Sequence, residues 1–437
     1  MSQFVTTQDL RVVAGGLRRQ QVMDIVRGLA FIGALLLAWI SLHPFADLGN
    51  QPFKDPIAGN ETMTYVLFGC MGVLILALAL RDNWRGLASL VNPAFILFGA
   101  WLIATVVLSQ DPATSVRRLV LTACVIMATA AMMLLPKTQN ELMRYLGIAA
   151  LALLGACYLG VLLVPQLSTH LATDTQEWQL AGDWRGVFGH KNMAAGIMAM
   201  LVFIGIYVCR SGAWLSGIAT TVLALLFLLK TGGKSSLALT FVVLIVSSLT
   251  MILRPLWLRA AMLLTPLMLL NLLSIGTIMS DGLAEIARAL PLDTSFTGRT
   301  DIWTFALQSL QSRLLTGYGF AAFWGTDAIR ALPEGKEWAE TAAHSHNGYL
   351  DTALGIGLPG LALLILVLVI MPLRNFQRAD HAGNGGPLLM LLLQLWVFGL
   401  YLSSLESFFL DRADPLWFTF LLAVFGLHYL ARFRLKA

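Results

Sequence analysis

Apolar residues in this chain come in long unbroken runs, with polar residues gathered between them rather than alternating with them. A window of about 19 residues, the length a helix needs to cross hydrocarbon, locates spans near 25–43, 64–80, 94–108, 119–135, 145–165, 193–209, 214–230, 235–253, 256–279, 348–372, 387–404 and 415–431. The tenth is interrupted by Asp351 and by Gly357-Leu358-Pro359-Gly360. The first reads as a retained anchor: its apolar stretch Gly28 to Leu42 runs into His43-Pro44-Phe45 instead of a small-residue cleavage site. In lipid a chain must satisfy its own backbone polar groups, so runs of this length predict helices. The expected fold is all-α and integral to the membrane, with about 12 transmembrane helices. Residues 1–279 hold helices one to nine, 280–346 a large outer loop with short helices, and 347–437 helices ten to twelve.

Composition agrees. Of 437 residues 57% are hydrophobic and 12% charged, against roughly 25% charged in soluble domains, and the mean hydropathy is +0.75. The net charge of +5 comes from 29 basic and 24 acidic residues. No basic run is interleaved with aromatics, so nucleic acid is not a partner. With an even number of spans both termini share one side. A cytoplasmic N-terminus would put about 16 of the 29 basic residues inside but about 5 of the 24 acidic ones. The inside is then about +11 and the outside about −6. Cys70, Cys124, Cys157 and Cys209 all fall in spans, with no Cys-x-x-Cys pair and no disulfide framework.

Two outer loops stand out, 166–192 and 280–346, both well past the roughly 15 residues beyond which loops are functional or disordered. The larger one carries Ile286, Leu290, Phe296, Ile302, Trp303, Phe305, Tyr318, Phe323 and Trp324. Its segment Asp301–Leu315 has helical apolar spacing with Thr300 as N-cap, so short helices packed as a cap are expected. An amphipathic segment lying on lipid is the alternative. The smaller loop ends Asp183-Trp184-Arg185-Gly186-Val187-Phe188-Gly189-His190-Lys191-Asn192. In the larger loop the runs are Gly298-Arg299-Thr300-Asp301-Ile302-Trp303, Gly317-Tyr318-Gly319-Phe320 and His344-Ser345-His346-Asn347-Gly348-Tyr349-Leu350.

In this order, W-R-G-x-F-G-H-K-N, G-R-x-x-I-W, G-Y-G-F and H-x-H-N-G-Y-L followed by G-x-G-L-P-G resemble the O-antigen ligase/polymerase superfamily over roughly residues 180–410. Lys191 to Met200, Gly233-Lys234-Ser235-Ser236-Leu237 and Gly317 to Trp324 resemble its exopolysaccharide-polymerase branch more than its ligases. The resemblance implies a glycan transferred from an undecaprenyl-diphosphate carrier on the periplasmic face of the bacterial inner membrane. A polymerase passes it to another glycan repeat; a ligase passes it to lipid A-core. It also implies membrane lipid as surroundings and a polysaccharide synthesis complex as the setting for protein partners.

Such a transfer needs fixed cations beside a leaving diphosphate, which arginine supplies at any relevant pH. Arg185, Arg299 and Lys191 lie at outer loop edges, Arg117 and Arg118 in the short loop on the same side, and Lys234 opens span eight. The plain alternative for each arginine is snorkelling to headgroups. An acceptor hydroxyl must lose a proton, and histidine titrates nearest working pH. His346, beside Asn347, is the candidate base, as the resemblance also implies. His344 two residues away lacks a third ligand at metal spacing, and no Asp-x-Asp occurs, so a metal-free site without cofactor is expected. Glu406, at the outer end of span eleven, matches a position often acidic in the superfamily and would orient His346 or contact the acceptor. Asp351 either shares that cavity or caps its helix. Trp178, Trp184, Trp324, Trp338 and Tyr318 suit sugar stacking or an interfacial belt equally. Gly233-Lys234-Ser235 resembles a phosphate-binding P-loop, but Leu228 stands where its first glycine is required. A transporter would show repeated halves or charges deep in several spans, and neither is present.

Overall fold

The computed structural model describes residues 7–40, 44–47, 62–174, 178–289, 299–326, 342–411 and 414–434, with side chains from Gln20 onward in the first stretch. Leu290, Phe296, Gly298 and Trp338 lie outside the described residues. The helices are α1 (Thr7–Ile40), α2 (Thr62–Ala88), α3 (Pro93–Val107), α4 (Pro112–Met132), α5 (Gln139–Leu163), α6 (Pro165–Ser168), α7 (Lys191–Arg210), α8 (Trp214–Lys230) and α9 (Lys234–Ile252). They continue with α10 (Leu256–Leu273), α11 (Gly276–Met279), α12 (Asp281–Ala289), α13 (Arg299–Gln311), α14 (Gly348–Ile365), α15 (Met371–His381), α16 (Pro387–Leu402) and α17 (Pro415–Leu430). A π-helical stretch, Leu366–Ile370, makes α14 and α15 continuous. Among the described residues there is no β-strand.

Every apolar window of the sequence is occupied by a helix. Among the described residues eight helices, with the continuous α14–α15 taken as one, are long and apolar enough to cross a membrane by length and composition; α3, α8, α16 and α17 are apolar but shorter. Boundaries shift where local chemistry overrides hydropathy. α1 begins at Thr7, far ahead of residue 25, and runs through Gly15-Gly16 into the good helix formers Leu17-Arg18-Arg19-Gln20-Gln21. The window 256–279 divides at Ser274, whose φ −95 and ψ −94 end α10 before α11. In the large loop α13 starts at Arg299, so Thr300 sits inside its first turn and is not its cap.

Helices α7, α16 and α17 form the middle of the bundle, with Trp396, Tyr401, Trp417 and Phe203 fully buried. α7 and α8 pack as a close hairpin: a Cβ added to Gly217 would lie 2.3 Å from the Cys209 backbone nitrogen, the small-residue contact by which membrane helices approach. Val73, Ile96, Val107, Leu215, Ile245, Ile252 and Met268 are exposed on the outer helices. So much open apolar surface fits a lipid surround and not water.

Polar side chains sort to the two ends of the bundle. At one end Arg27 pairs with Asp24 and Asp82, Lys137 Nζ lies 2.8 Å from Asp24, and the buried Arg259 guanidinium lies 2.5 Å from Asp380. The described parts of the connections, 108–111, 164–174, 178–190, 231–233, 274–289, 312–326, 342–347 and 403–411, lie at the other end. There Ser115 Oγ donates to the Phe320 carbonyl, and Thr122 Oγ1 to that of Leu410. All the sequence-identified site residues lie at this second end.

α14 is broken at Gly357, at φ 70 and ψ 175, a conformation only glycine holds without strain. The carbonyls freed by the break find other donors. Tyr318 N donates to Leu354 O at 2.7 Å, Gly319 N to Gly355 O at 3.0 Å and Trp101 Nε1 to Ile356 O at 2.9 Å, while Leu358 N donates to Leu314 O at 2.8 Å. This engagement of residues 314–319 is why α13 stops short of Leu315. A Cβ at Gly357 would come within 2.1 Å of the Leu315 carbonyl oxygen. Gly357→Ala is therefore expected to cost about 2 kcal/mol or more in thermal unfolding in detergent. Gly69→Ala in α2, where nothing lies within 4 Å of the added carbon, should leave stability unchanged or raise it slightly.

Candidate active site

Three separate segments converge on one carboxylate. Glu406 follows the end of α16, where its backbone nitrogen still donates to Leu402 O. Its Oε1 accepts from Asn192 Nδ2 at 3.0 Å and from an Arg299 terminal nitrogen at 2.9 Å, and its Oε2 lies 3.1 Å from His346 Nδ1. Asn192 stands in the first turn of α7, and Arg299 opens α13 with a second bond from its guanidinium to Leu405 O at 2.6 Å. Burial pushes the Glu406 carboxyl up, but the His346 hydrogen bond and the Arg299 charge outweigh it and hold the group at about 2.

The His346 ring is placed by its backbone. The residue has φ 56, in the left-handed region, and its N–H donates to His344 Nδ1 at 3.2 Å. Asn347 next to it caps α14: Oδ1 accepts from the Tyr349 and Leu350 nitrogens at 3.1 and 3.0 Å. Its Nδ2 donates to Asn271 Oδ1 of α10 at 3.2 Å and to Ser404 O at 3.0 Å. The cap thus fixes the start of α14 against α10 and against the turn that carries Glu406. With the carboxylate on Nδ1, the Nδ1–H tautomer is favoured and Nε2 is left as acceptor. The His346 side chain is 30% exposed, against 16% for Arg299 and 17% for Glu406.

Beyond His346 the contacts lead to a cavity. The His344 and His346 rings stack edge to face at 4.2 Å, and His344 lines a cavity of ≈ 240 Å³ together with Arg118, Phe320, Trp324, Asp351, Phe409 and Asp411. Burial, and then His346 beside it, push the His344 imidazole below its usual range, so it is neutral at pH 7. Asp351 borders the cavity and accepts the Ser345 N–H at 3.0 Å and Trp324 Nε1 at 2.7 Å, whereas the cap of α14 is Asn347 and not Asp351. Arg118 donates to the Ala321 carbonyl at the cavity wall. Nearby, burial and the adjacent Asp411 hold the Asp414 carboxyl, the cap of α17, well above its usual range.

The remaining sequence candidates stand apart from this cluster. Arg185 is 1% exposed and its guanidinium donates to the carbonyls of Ala46 at 2.6 Å, Phe188 at 3.1 Å and Thr169 at 3.4 Å. Lys191 Nζ pairs with Asp183 at 2.5 Å, Lys234 is exposed at the start of α9, and exposed Arg117 donates to Thr114 Oγ1 at 3.2 Å. Sequence reading passed over Asn192, Asn271 and Asp411. Asn192 ends the H-K-N run and was overshadowed by its charged neighbour, whereas Asn271 is an amide in an apolar span, the kind of position that marks function.

Comparison with known proteins agrees with the motifs. Residues 219–365 match the Wzy_C family model, described as O-antigen ligase. That stretch contains Arg299, His344, His346, Asn347 and Asp351 and ends before Glu406. The chain is also 30% identical over 99 residues to the exopolysaccharide production protein ExoQ of Rhizobium meliloti (strain 1021), a match covering 22% of this chain and 23% of that protein. Both findings bear out the resemblance to the O-antigen ligase/polymerase superfamily.

The Glu406 arrangement has a pH signature. Its folded pKa of about 2 lies below the ordinary 4.5, so its stabilisation is complete above pH 4.5 and is lost as pH falls toward 2. In detergent, thermal unfolding of the parent should drop steadily across that window. Glu406→Gln should start lower by several degrees at pH 6 and show a shallower acid decline.

Proposed function

We propose that this protein is a membrane glycosyltransferase that polymerises polysaccharide repeat units from an undecaprenyl-diphosphate-linked donor. The observation that carries the reading is Glu406 joining Arg299 and His346, one cation and one base, at the same end of the bundle. In the reaction an acceptor sugar hydroxyl attacks the anomeric carbon of the donor while His346 Nε2 takes its proton. The bond from that carbon to the diphosphate oxygen breaks, and the lipid diphosphate departs with its charge beside Arg299. Glu406 holds the His346 tautomer and stabilises the imidazolium that forms. Asn192 and Asn347 position Glu406 and the turn bearing His346.

Arg185, which the sequence suggested as a second diphosphate ligand, acts in this reading by holding the 166–192 loop together through backbone carbonyls. Lys191, Lys234 and Arg117 supply a positive rim for the anionic donor, Lys191 and Lys234 on the α7 and α9 side, whereas Arg118 faces the cavity beside His344. No step uses a metal or other cofactor. The site faces the periplasm from the bacterial inner membrane with both termini cytoplasmic, a topology supported by the basic residues at the opposite end. A second reading, ligation of O-antigen to lipid A-core, is favoured by the description of the matched family; the likeness to an exopolysaccharide production protein favours polymerisation. Single repeat units accumulating on the carrier in a deletion strain would mark a polymerase, and intact lipid-linked polymer a ligase.

Purified protein supplied with a lipid-diphosphate oligosaccharide tests the chemistry. Elongation is expected to fall by about 10²- to 10⁴-fold in His346→Ala and by about 10²- to 10³-fold in Arg299→Ala. Variants that elongate as fast as the parent would sink the mechanism.

A further inference from the structure

The contacts at the site follow a fixed order: Arg299, Glu406, His346, His344, and then the ≈ 240 Å³ cavity. Neither Arg299, Glu406 nor His346 lines that cavity. Its wall combines two kinds of surface. Phe320, Phe323, Trp324, Phe408 and Phe409 supply aromatic faces, while Asp351, Asp411, Arg118 and His344 supply polar groups. Aromatic platforms rimmed by carboxylates and single cations suit a ligand that has C–H faces and a ring of hydroxyls, which is a sugar, and suit a lipid tail or a naked diphosphate poorly.

Geometry assigns which sugar. A displacement at the anomeric carbon has the nucleophile and the leaving group on opposite sides of that carbon. If the diphosphate leaves beside Arg299, the attacking hydroxyl must approach from the far side of His346, the side on which His344 and the cavity lie. His344 is suited to contact it. Its Nδ1 accepts the His346 N–H, so its proton sits on Nε2, where a neutral imidazole can donate to a sugar hydroxyl without competing for the proton that His346 takes. Trp324 is fixed for stacking because its Nε1 is held by Asp351 at 2.7 Å.

We propose that this cavity is the acceptor subsite, holding the terminal sugar of the acceptor glycan between Trp324 and the Asp351, Asp411 and His344 side chains, and that it sets acceptor specificity. The proposal rests on the glycosyltransferase reading, and the experiment separates the two. The donor is a lipid-diphosphate oligosaccharide blocked at its non-reducing end; the acceptor is a soluble oligosaccharide of the same repeat unit. Trp324→Leu removes the platform and Asp411→Asn changes one polar group with almost no change of shape, so at least one variant keeps the parental thermal transition. Each variant is expected to raise KM for the acceptor at least tenfold, with KM for the donor moving less than twofold. A rise confined to the donor KM would overturn the proposal, as would two unmoved constants. If the parent transfers nothing, the glycosyltransferase reading itself fails, and calorimetry with the soluble oligosaccharide decides the cavity alone. Binding by the parent that weakens in both variants sustains a glycan subsite; equal or absent binding overturns it.

Discussion

A carboxylate at the edge of hydrocarbon is costly unless donors surround it, and Glu406 sets that demand for the whole site. Its own segment offers it little, since Ser403 Oγ donates to Gly399 O and Ser404 Oγ is engaged by Asn271 Nδ2. The donors come from elsewhere: Asn192 from α7, Arg299 from α13, His346 from the turn before α14. Each is distant in sequence and none is on a neighbouring helix turn. The fold must therefore bring α7, α13, α14 and the end of α16 together before Glu406 can ionise stably, and once ionised it resists their separation. The left-handed backbone at His346 belongs to the same requirement, because it turns the ring back toward Oε2 while leaving Asn347 free to cap α14.

The second constraint is that a broken helix near lipid must find new partners for its backbone. α14 breaks at Gly357, and residues 314–319, together with Trp101, accept that role. The consequence for function is mechanical. The stretch Gly348–Ile356, whose first turn carries Asp351 and whose cap is Asn347, is clamped between the outer loop on one side and α10 and the Ser404 turn on the other. His346 is thus fixed from both directions, by the cap that follows it and by His344 before it.

Much of the helical layout was legible because lipid leaves such a strong mark on composition: runs without charge can only be helices there, and each expected window holds one. Arg299, His346 and Glu406 were also legible, since a cation, a titratable imidazole and an acid at an apolar boundary are each conspicuous. Side-chain direction was not. Arg185 looks like Arg299 in sequence, beside glycine and near a span, yet its guanidinium turns inward onto the carbonyls of Ala46, Phe188 and Thr169. Neutral residues were equally opaque: Asn192 and Asn271 carry no charge to draw notice, although one bonds Glu406 and the other supports Asn347. Helix ends moved where caps and loop docking, invisible to hydropathy, took precedence.

Charge accounting at the cluster links its geometry to the proposed chemistry. Arg299 and Glu406 cancel one another in charge, so this ion pair by itself holds little net field toward an anionic donor. In the proposed reaction His346 takes the acceptor proton and the cluster becomes +1 as the C–O bond breaks and negative charge grows on the diphosphate. Near a protein surface one unit charge about 4 Å away is worth about 4 kcal/mol, comparable to what a single oxyanion donor contributes. Proton uptake on one side of Glu406 thereby strengthens stabilisation on the other, and the shared carboxylate keeps both groups within reach of one another. A site with Arg299 alone would attract the donor's ground state as well as its transition state. Pairing it with Glu406 and a histidine reserves part of the positive charge for the moment the leaving group forms.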